Sequence, residues 1–396
     1  MLFSPEYHEP LTGRAWDEAW VRGRIERIVA AAEGAVGDDG VWPEHPDDHD
    51  DDWGLPKTVY MGAAGVIWGM HAAGRSRPDL IRGLYQSYLA EPDWPGRSNS
   101  YWAGEAGILL VGQLLDADDV DLARLEEVVR GNADNESNEL MWGAPGTMLV
   151  ALEMYRRTRD TRWADAWRSS ADVLWQRWAF DDEVGGHMWT QLLYGNVDRY
   201  IGPGHGFAGN VRSLFAGRSL LDDDRVGQLE ERAVVTATAL AFREGGLANW
   251  APTVGPLAHR DRIRVQWCHG APGVVSALAG VATQNVDFTD LLVAAGNLIW
   301  EAGPLATGHG LCHGTAGNAV AFLALHERTG DPLWAERARR FAVHALEQVE
   351  RERQEHGMGR YSLWTGDIGA ALVAQSCIDL RPGMPSLDWF EATTRA

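Results

Sequence analysis

Residues 267–278, "WCHGAPGVVSAL", join a G-x-x-G pair to a run of apolar and small residues. The same pattern occurs in seven places, and its first glycines are Gly62, Gly104, Gly143, Gly206, Gly270, Gly314 and Gly366. Neighbouring first glycines lie 39 to 64 residues apart, which is too irregular for a simple solenoid but fits one structural unit with loops of variable length. We therefore expect seven copies of one unit.

Helical periodicity connects these repeats. In "DPLWAERARRFAVHALEQVE", Trp334, Phe341 and Val349 fall on one apolar stripe, which indicates an amphipathic outer helix. The runs after each G-x-x-G are apolar nearly all round and are expected to be buried inner helices. Seven outer and seven inner helices in alternation predict an all-α fold, a two-layer α/α toroid (barrel) with a G-x-x-G turn opening each inner helix. No segment shows convincing strand alternation.

Composition and charge restrict the class of protein. Of the 396 residues, 45% are hydrophobic, which is enough for a large core, and we expect residues 1–396 to form one toroid domain. The net charge is -21, so a nucleic-acid backbone or an anionic lipid surface would be repelled. No segment approaches the roughly 20 apolar residues of a membrane span, and the N-terminus does not resemble a signal peptide. We therefore expect a cytoplasmic protein that binds neither nucleic acid nor membranes.

Two of the three cysteines take equivalent positions in neighbouring repeats. Cys268 and Cys312 are each followed by a histidine and then by the first glycine of a repeat. If each inner helix begins at its G-x-x-G, both Cys-His pairs gather at one end of the central cavity, at helix N-termini that favour thiolate over thiol. Two cysteines and one histidine are a frequent catalytic zinc set. We predict one zinc ion per chain, bound by Cys268, Cys312 and His313; the alternative is that both thiols are only small buried hydrophobes.

Three further residues near the glycine pairs are candidates for chemistry. His205 takes the position in repeat four that the histidines of the Cys-His pairs take in repeats five and six, where it can cap its helix or transfer a proton beside the metal. Glu139 can point into the cavity or accept N–H groups at the start of its helix. Arg264, just upstream of the first Cys-His pair, can bind an anionic group or pair with a carboxylate.

Other motifs favour structural roles. Cys377 lies in an apolar run and is expected in the core. Trp142, Trp267 and Trp364 stand at cavity-mouth positions, where tryptophan packs more often than it forms a substrate platform. The acidic stretch "PDDHDDDW", residues 46–53, is interpreted as a solvated loop; calcium binding is the alternative, although the stretch lacks the glycine and glutamate of a calcium loop.

Together, "WCHGAPG", "GLCHGTAGNA", "GPGHGFAG" and the seven glycine pairs resemble the lanthionine synthetase C family, which comprises the LanC cyclases and the LanC-like proteins. The resemblance spans essentially the whole chain. "TVYMGAAG", "NELMWGAPG" and "YSLWTGDIG" are closer to the eukaryotic-type LanC-like branch. The resemblance implies the α/α toroid of seven inner and seven outer helices, and it implies zinc ligands at Cys268, Cys312 and His313.

The resemblance also implies roles for residues beside the metal. His205 matches the family's catalytic histidine and Glu139 matches an acidic position, while Arg264 and Trp267 match positions that line the family's cavity. The implied reaction adds a thiol to dehydroalanine or dehydrobutyrine in a peptide, which gives a thioether and an enolate. His205 is then the best-placed proton donor, with Glu139 or His269 as substitutes.

The thiol and the partners stay open at this point. The thiol is either a cysteine of the same peptide or a small thiol such as glutathione, whose carboxylates Arg264 or Arg199 would have to bind. The eukaryotic-type members bind glutathione with help from a lysine at the position of Thr307, so weak glutathione binding is expected here. The implied substrate is a dehydrated peptide or a protein containing a dehydroamino acid, and a dehydratase or kinase could be a partner. The alternatives are a scaffold or thiol-binding protein without cyclase activity, and another zinc enzyme on this fold of the prenyltransferase type.

Overall fold

Helices form nearly all of the regular structure in the computed structural model, which describes residues 2–49, 55–117, 121–255 and 263–391. In chain order they are α1 (Glu18–Gly34), α2 (Ala63–Ala72), α3 (Pro78–Ile81), α4 (Leu84–Ala90), α5 (Glu105–Leu114), α6 (Leu122–Gly131), α7 (Ala144–Thr158), α8 (Thr161–Gln176), α9 (Phe207–Ala216), α10 (Asp223–Leu240), α11 (Ala271–Leu278), α12 (Val286–Ala302), α13 (Thr315–Thr329), α14 (Pro332–His356) and α15 (Asp367–Asp379). Short 3-10 helices cover Pro5–Tyr7, Pro46–Asp48 and Arg218–Leu220.

Seven of these helices begin directly after the first glycine of a glycine pair, as the sequence predicts. They are α2, α5, α7, α9, α11, α13 and α15, and the glycine is the N-cap of each. Each contacts the next along the chain and α15 contacts α2, so these inner helices close into a ring. Helices α1, α6, α8, α10, α12 and α14 pack outside it, and α3 with α4 takes the remaining outer position. The predicted all-α toroid is confirmed.

The second glycine of each pair has a geometric reason. A Cβ atom placed there would lie 1.8 to 2.3 Å from the backbone carbonyl oxygen of the residue six positions earlier, and this holds in all seven repeats. At Gly273 the oxygen belongs to Trp267, and at Gly317 it belongs to Leu311. Each loop therefore doubles back onto the first turn of its inner helix, where only glycine leaves enough room.

The inner helices are buried on nearly all sides, as expected from their uniformly apolar sequences. Every residue of α2 except His71 is buried, and so is every residue of α5 except Gln113. An outer helix such as α6 buries only Leu125, Val128 and Val129, which form one stripe. Among the described residues, no helix combines the length and the apolar character that crossing a bilayer requires.

Three two-stranded antiparallel hairpins decorate the ring, and the sequence analysis did not identify them. They pair β1 (Ala179–Asp181) with β2 (Gly186–Met188), β3 (Gln191–Leu193) with β4 (Asn196–Asp198), and β5 (Phe242–Glu244) with β6 (Leu247–Asn249). The strands of three residues are too short to show a period of two. The signal that could have revealed them is in the turns, because Tyr194-Gly195 and Gly245-Gly246 both have two consecutive positive φ angles, typical of two-residue hairpin turns.

The segment of residues 383–390, after α15, packs into the ring. Its Met384, Leu387 and Phe390 are all less than 5% exposed. Tyr101 donates its hydroxyl to the carbonyl oxygen of Ser386 at 2.5 Å, and the indole N–H of Trp68 donates to the carbonyl oxygen of Phe390 at 3.3 Å. The C-terminal segment therefore fills space between inner helices that are far apart in sequence.

Candidate metal centre and active site

The residue two positions before each first glycine lies at what we call an inner-ring position. The seven inner-ring positions are held by Tyr60, Trp102, Met141, Gly204, Cys268, Cys312 and Trp364. Five of them are linked by main-chain hydrogen bonds, in which each N–H donates to the carbonyl oxygen of the inner-ring residue of the next repeat around the ring. The bonds run from Cys268 to Cys312 (3.0 Å), Cys312 to Trp364 (3.0 Å), Trp364 to Tyr60 (3.1 Å) and Tyr60 to Trp102 (3.0 Å). The ring closure thus fixes where two cysteines lie.

The structure brings the three predicted metal ligands together. One ligand atom each from Cys268, Cys312 and His313 lie within 4.8 Å of one another. Both cysteines are 7% exposed, so the thiols face a nearly closed space. Cys377 lies apart from them within α15, fully buried, and burial raises the pKa of its thiol to about 12. The two cysteines of the repeated motif are therefore the pair available for a metal.

The two clustered thiols differ in their electrostatic environment. The hydrogen bond from Cys312 lowers the pKa of Cys268 against the opposing effect of burial, and the Gln266 amide donates to its sulfur at 2.9 Å. The same bond to Cys268, together with burial, raises the pKa of Cys312 well above its ordinary value. Tyr60 adds a side-chain hydrogen bond to Cys312. One proton is thus shared between two sulfurs, and Gln266 and Tyr60 join the site without having been identified from the sequence.

His205 and Glu139 form a buried pair beside the thiols. Nδ1 of His205 lies 3.0 Å from a carboxylate oxygen of Glu139, which is 0% exposed. The same carboxylate accepts the backbone N–H groups of Met141 (2.9 Å) and Trp142 (2.6 Å), so Glu139 serves both the helix start and the histidine. Burial alone would lower the pKa of His205, but the hydrogen bond and charge of Glu139, with the charge of Cys268, raise it. The ring is held as a proton donor, and α9 has no side-chain cap.

His269 lies close to His205 but has the opposite electrostatic character. The two ring centres are 6.1 Å apart. Burial, with smaller effects from the charges of His205 and Arg264, lowers the pKa of His269 to about 4. Its Nδ1 is buried and has no hydrogen-bond partner among the described residues. A neutral imidazole of this kind accepts a proton rather than donating one, so His205 is the better placed of the two as an acid.

The two arginines proposed for substrate binding have different environments. The guanidinium of Arg264 lies 5.3 Å from the centre of the Tyr7 ring, and within the described part of the chain it has no carboxylate partner. Arg199 is held in ion pairs to Asp181 and to Glu183, the latter at 2.6 Å. Because two carboxylates already neutralise Arg199, the geometry leaves Arg264 as the more available cation of the two. Their roles toward a substrate stay predictions.

An aromatic cluster adjoins the thiols at the same inner-ring level. The ring centres of Trp102 and Trp364 are 4.4 Å apart, and those of Trp267 and Trp364 are 4.9 Å apart. Tyr60 stacks on Trp364 at 6.1 Å. Trp267 is only 1% exposed, so its ring packs within the cluster, and its predicted contact with substrate stays a prediction. The cluster surrounds the thiols with apolar surface, which strengthens electrostatic interactions there.

The hairpin of β3 and β4 forms a rim beside His205. Tyr194, in its turn, is 69% exposed, and its hydroxyl accepts the indole N–H of Trp142 at 3.0 Å. The Tyr194 ring centre lies 6.3 Å from that of His205. An exposed aromatic side chain therefore stands next to the proposed proton donor, and the sequence analysis did not single it out.

Comparison with known sequences gives the family. The family model described as "Lanthionine synthetase C-like protein" matches residues 54–384. The chain is 36% identical over 216 residues to "Glutathione S-transferase LANCL1" of Danio rerio, covering 52% of this chain and 50% of that protein. It is 41% identical over 117 residues to "LanC-like protein GCL1" of Arabidopsis thaliana, covering 28% of this chain and 26% of that protein. The matches thus span half or less of these relatives, both of which are eukaryotic.

A solved structure gives independent support for the architecture. "Nisin cyclase" superposes with a TM-score of 0.60 over 91% of this chain and 94% of that chain, at 16% sequence identity. A likeness at that identity concerns the fold alone. The ring of seven inner and seven outer helical positions is thus shared with a protein whose sequence has diverged widely.

Proposed function

We propose that this chain, which belongs to the lanthionine synthetase C-like family, is a zinc-dependent enzyme that adds a thiol to dehydroalanine or dehydrobutyrine in a peptide. The product would be a thioether of the lanthionine type. The observation that carries the proposal is the meeting of Cys268, Cys312 and His313 beside the paired His205 and Glu139. A metal-binding donor set and a charged acid side by side are what thiol activation followed by protonation requires.

The donor set fits zinc. Two thiols and one imidazole are a known catalytic zinc set, and they leave a fourth tetrahedral position open. Zinc bound there would hold a substrate thiol as a thiolate at neutral pH, where a free cysteine with a pKa of about 8.5 is mostly protonated. Gln266, which donates to the Cys268 sulfur, would orient that ligand and moderate its charge. The main-chain bond between Cys268 and Cys312 would keep the two sulfurs in place as substrates come and go.

The chain itself would supply the proton that completes the addition. When the thiolate sulfur bonds to the β-carbon, the carbon–carbon π electrons move to the enolate, and a proton has to reach the α-carbon. Despite its burial, His205 has a pKa raised by Glu139, so its ring carries a proton near neutral pH. The proton lost by the thiol when it binds replaces the one that His205 gives up. Glu139 would act as the positioning residue because its carboxylate is already fixed by two backbone N–H groups.

The first choice for the thiol is a cysteine in the same peptide. A tethered thiol arrives at high effective concentration and needs no cation at the site to hold it. The second candidate is a small thiol such as glutathione. Two observations favour it: Arg264 has no carboxylate partner among the described residues, and the zebrafish relative is named a glutathione S-transferase.

Two dehydroalanine peptides, one with a cysteine and one without, would separate these functions. Each is incubated with zinc-loaded protein, with and without glutathione, then treated with a thiol-alkylating reagent and analysed by mass spectrometry. Ring closure leaves the peptide mass unchanged but removes the alkylatable thiol, whereas glutathione addition raises the mass by one glutathione. The matched control is Cys312→Ala, which should react no faster than peptide alone. If zinc-loaded protein accelerates neither reaction, the proposal is wrong and a binding or scaffold role takes its place.

A further inference from the structure

A second cluster of metal-binding side chains lies outside the Cys-His site. His45, Asp47 and His356 each offer one ligand atom, and these atoms lie within 4.8 Å of one another. Oδ2 of Asp47 is 3.8 Å from Nδ1 of His45 and 3.7 Å from Nε2 of His356. The cluster involves the start of the acidic stretch 46–53, whose residues 50–53 lie outside the described part of the chain. The first residues of that stretch are thus not simply a solvated loop.

Two secondary-structure elements position the three side chains. His45 is the N-cap of the 3-10 helix Pro46–Asp48, which contains Asp47. His356 is the last residue of α14, and Gly357 follows it as the C-cap with a φ of +69°. The rings of His45 and His356 meet edge to face with centres 4.6 Å apart. The cluster therefore joins the loop before α2 to the end of the longest outer helix.

An ion pair next to the cluster holds the same two segments together. Nε of Arg360, just beyond α14, donates to Oδ2 of Asp48 at 2.8 Å. Arg360 and Asp48 are both only about one-eighth exposed in their side chains (13% and 14%). The position of the loop relative to α14 thus does not depend on the cluster alone, and the three ligands are held close to one another in the absence of a metal.

His45 has unsatisfied bonding capacity. It is 3% exposed, and its Nε2 is buried without a hydrogen-bond partner among the described residues. Its Nδ1 accepts only a long hydrogen bond of 3.3 Å, from the backbone N–H of Asp47. A buried polar atom without a partner costs about 1–3 kcal/mol, so such atoms usually have a functional or ligand-binding explanation. Burial also lowers the pKa of His45, which keeps its ring neutral, the form that binds metals.

We propose that His45, Asp47 and His356 form a second site, for a divalent transition-metal ion such as Zn²⁺ or Co²⁺. Two imidazoles and one carboxylate suit these cations, whereas Ca²⁺ prefers oxygen ligands throughout. A tetrahedral ion with bonds of about 2.1 Å needs nitrogen and oxygen ligands about 3.4 Å apart, so the separations from Asp47 would have to shorten by only a few tenths of an ångström. The side chains of Asp47 and His356 are 49% and 21% exposed, which gives an ion access from solvent.

This site is distinct from the Cys-His site in its chemistry. It contains no thiolate, so it should bind divalent metals more weakly, and it should exchange them first on dialysis. When bound, an ion would clamp the loop before α2 onto α14. We expect that clamp to raise the melting temperature of the protein when metal is added beyond the first equivalent, because an ion that binds only the folded state stabilises it.

Cobalt titration of the metal-depleted full-length chain tests the second site. The first equivalent of Co²⁺ should give the thiolate-to-cobalt charge-transfer absorption of the Cys-His site. The second should add d–d absorption without further charge transfer. Asp47→Asn and His356→Gln should each weaken the second equivalent at least tenfold and leave the first unchanged. Because Asp47 is half exposed, Asp47→Asn should fold normally even if a change at a histidine does not.

Two controls make the cobalt result specific. His326→Gln changes a histidine near the end of α13, whose Nδ1 lies 3.0 Å from the carbonyl oxygen of Asp331, and it should bind both equivalents like the unmodified chain. Cys312→Ala should lose the charge-transfer band yet keep the second equivalent. A single bound cobalt per unmodified chain would overturn the proposal, and so would a second equivalent that neither Asp47→Asn nor His356→Gln weakens.

Discussion

The backbone N–H of Cys268 donates to the carbonyl oxygen of Cys312 at 3.0 Å, so the two thiols of the candidate metal centre are tied through the main chain. The bond is one of four that continue around the ring through Trp364 and Tyr60 to Trp102. Ligands fixed in this way need little ordering when a metal binds, which favours affinity. It also means that the fold does not rely on the metal to bring the cysteines together.

Zinc content is the first prediction, because Cys268, Cys312 and His313 converge. We expect the purified chain, after dialysis against metal-free buffer, to retain one tightly bound zinc ion. Cys312→Ala removes one of two sulfur ligands and should lose most of it, as measured by atomic emission. The matched control is Cys377→Ala, a change to a buried thiol inside α15, which should leave zinc content as it is. Full retention of zinc by Cys312→Ala would contradict the assignment.

The second prediction separates the acid from the metal ligands. His205→Ala should keep its zinc, because His205 pairs with Glu139 rather than with the thiols, and should slow thioether formation by roughly 100-fold or more, as expected when an acid or base is lost. Rates are measured by disappearance of the peptide thiol. His187→Ala, which changes a histidine of the β1–β2 hairpin, serves as the control and should react at the normal rate. Loss of zinc from His205→Ala would instead make His205 a ligand.

The third prediction concerns stability and pH. His309 is 1% exposed, with Nδ1 2.8 Å from Glu352 and Nε2 3.0 Å from Asp367. Burial opposes its charge, but the two carboxylates raise its pKa to about 9. A raised histidine pKa stabilises the fold fully below the unfolded value of about 6.5, and that contribution is lost as the pH rises through about 9.

Denaturant unfolding of the unmodified chain and of His309→Gln, at pH 6 and pH 9.5, measures this contribution. The difference in unfolding free energy between the two proteins should shrink by about 2–3 kcal/mol at the higher pH, at roughly 1.4 kcal/mol per pKa unit of a shift known to about one unit. Taking the difference removes the effect of every other titrating group. A difference that stays constant between the two pH values would show that His309 is not charged in the folded protein.

The fourth prediction is that glutathione binds weakly, with a dissociation constant of about 1 mM or worse. The net charge of -21 opposes an anionic thiol, and Thr307 provides no cation, since its hydroxyl donates to the carbonyl oxygen of His313 at 2.8 Å. Thr307→Lys should tighten binding about tenfold, the effect of roughly 1.4 kcal/mol. Calorimetric titration of the zinc-loaded protein measures both. Micromolar affinity in the unmodified chain would make the small-thiol reaction the first choice.

The fifth prediction tests the doubling back of the loops onto the inner helices. Gly317→Ala would place a Cβ atom 1.8 Å from the carbonyl oxygen of Leu311, and that oxygen cannot move without shifting the loop that carries Cys312. We expect a loss of about 3 kcal/mol or more in unfolding free energy, together with weaker zinc binding. Gly227→Ala, at an open position inside α10, should instead be neutral or stabilise by up to about 1 kcal/mol. Equal stability of the two variants would contradict this geometry.

Much of the fold could be predicted because one steric requirement recurs in every repeat. The second glycine of each pair cannot be replaced without a clash with its own loop, and the first is the N-cap, so the pattern gives the start of each inner helix. The outer position between α2 and α5 was harder to predict, because its helix is broken by Gly83, which has a φ of +77°. The hairpins escaped because their strands are too short to show alternation.

The site was predictable only where its residues share a repeat position. Cys268 and Cys312 repeat a visible motif, and the inner-ring position would also have pointed to Tyr60 and Trp102, had it been followed into repeats that lack cysteine. The ion pairs of Arg199, by contrast, depend on how a hairpin folds back. Contacts between distant segments leave no local pattern in a sequence, and the approach of His45 to His356 is of that kind.

The closing bond from Trp364 to Tyr60 has a consequence for synthesis on the ribosome. The carbonyl oxygen of Cys312 can accept from Cys268 as soon as repeat six has emerged, but its N–H needs Trp364, and Trp364 in turn needs Tyr60 from the first repeat. A nascent chain that already displays both cysteines therefore keeps an open ring until its last repeat leaves the exit tunnel. During that interval the thiols are unprotected, which makes late translation the period in which oxidation or a wrong metal can reach them.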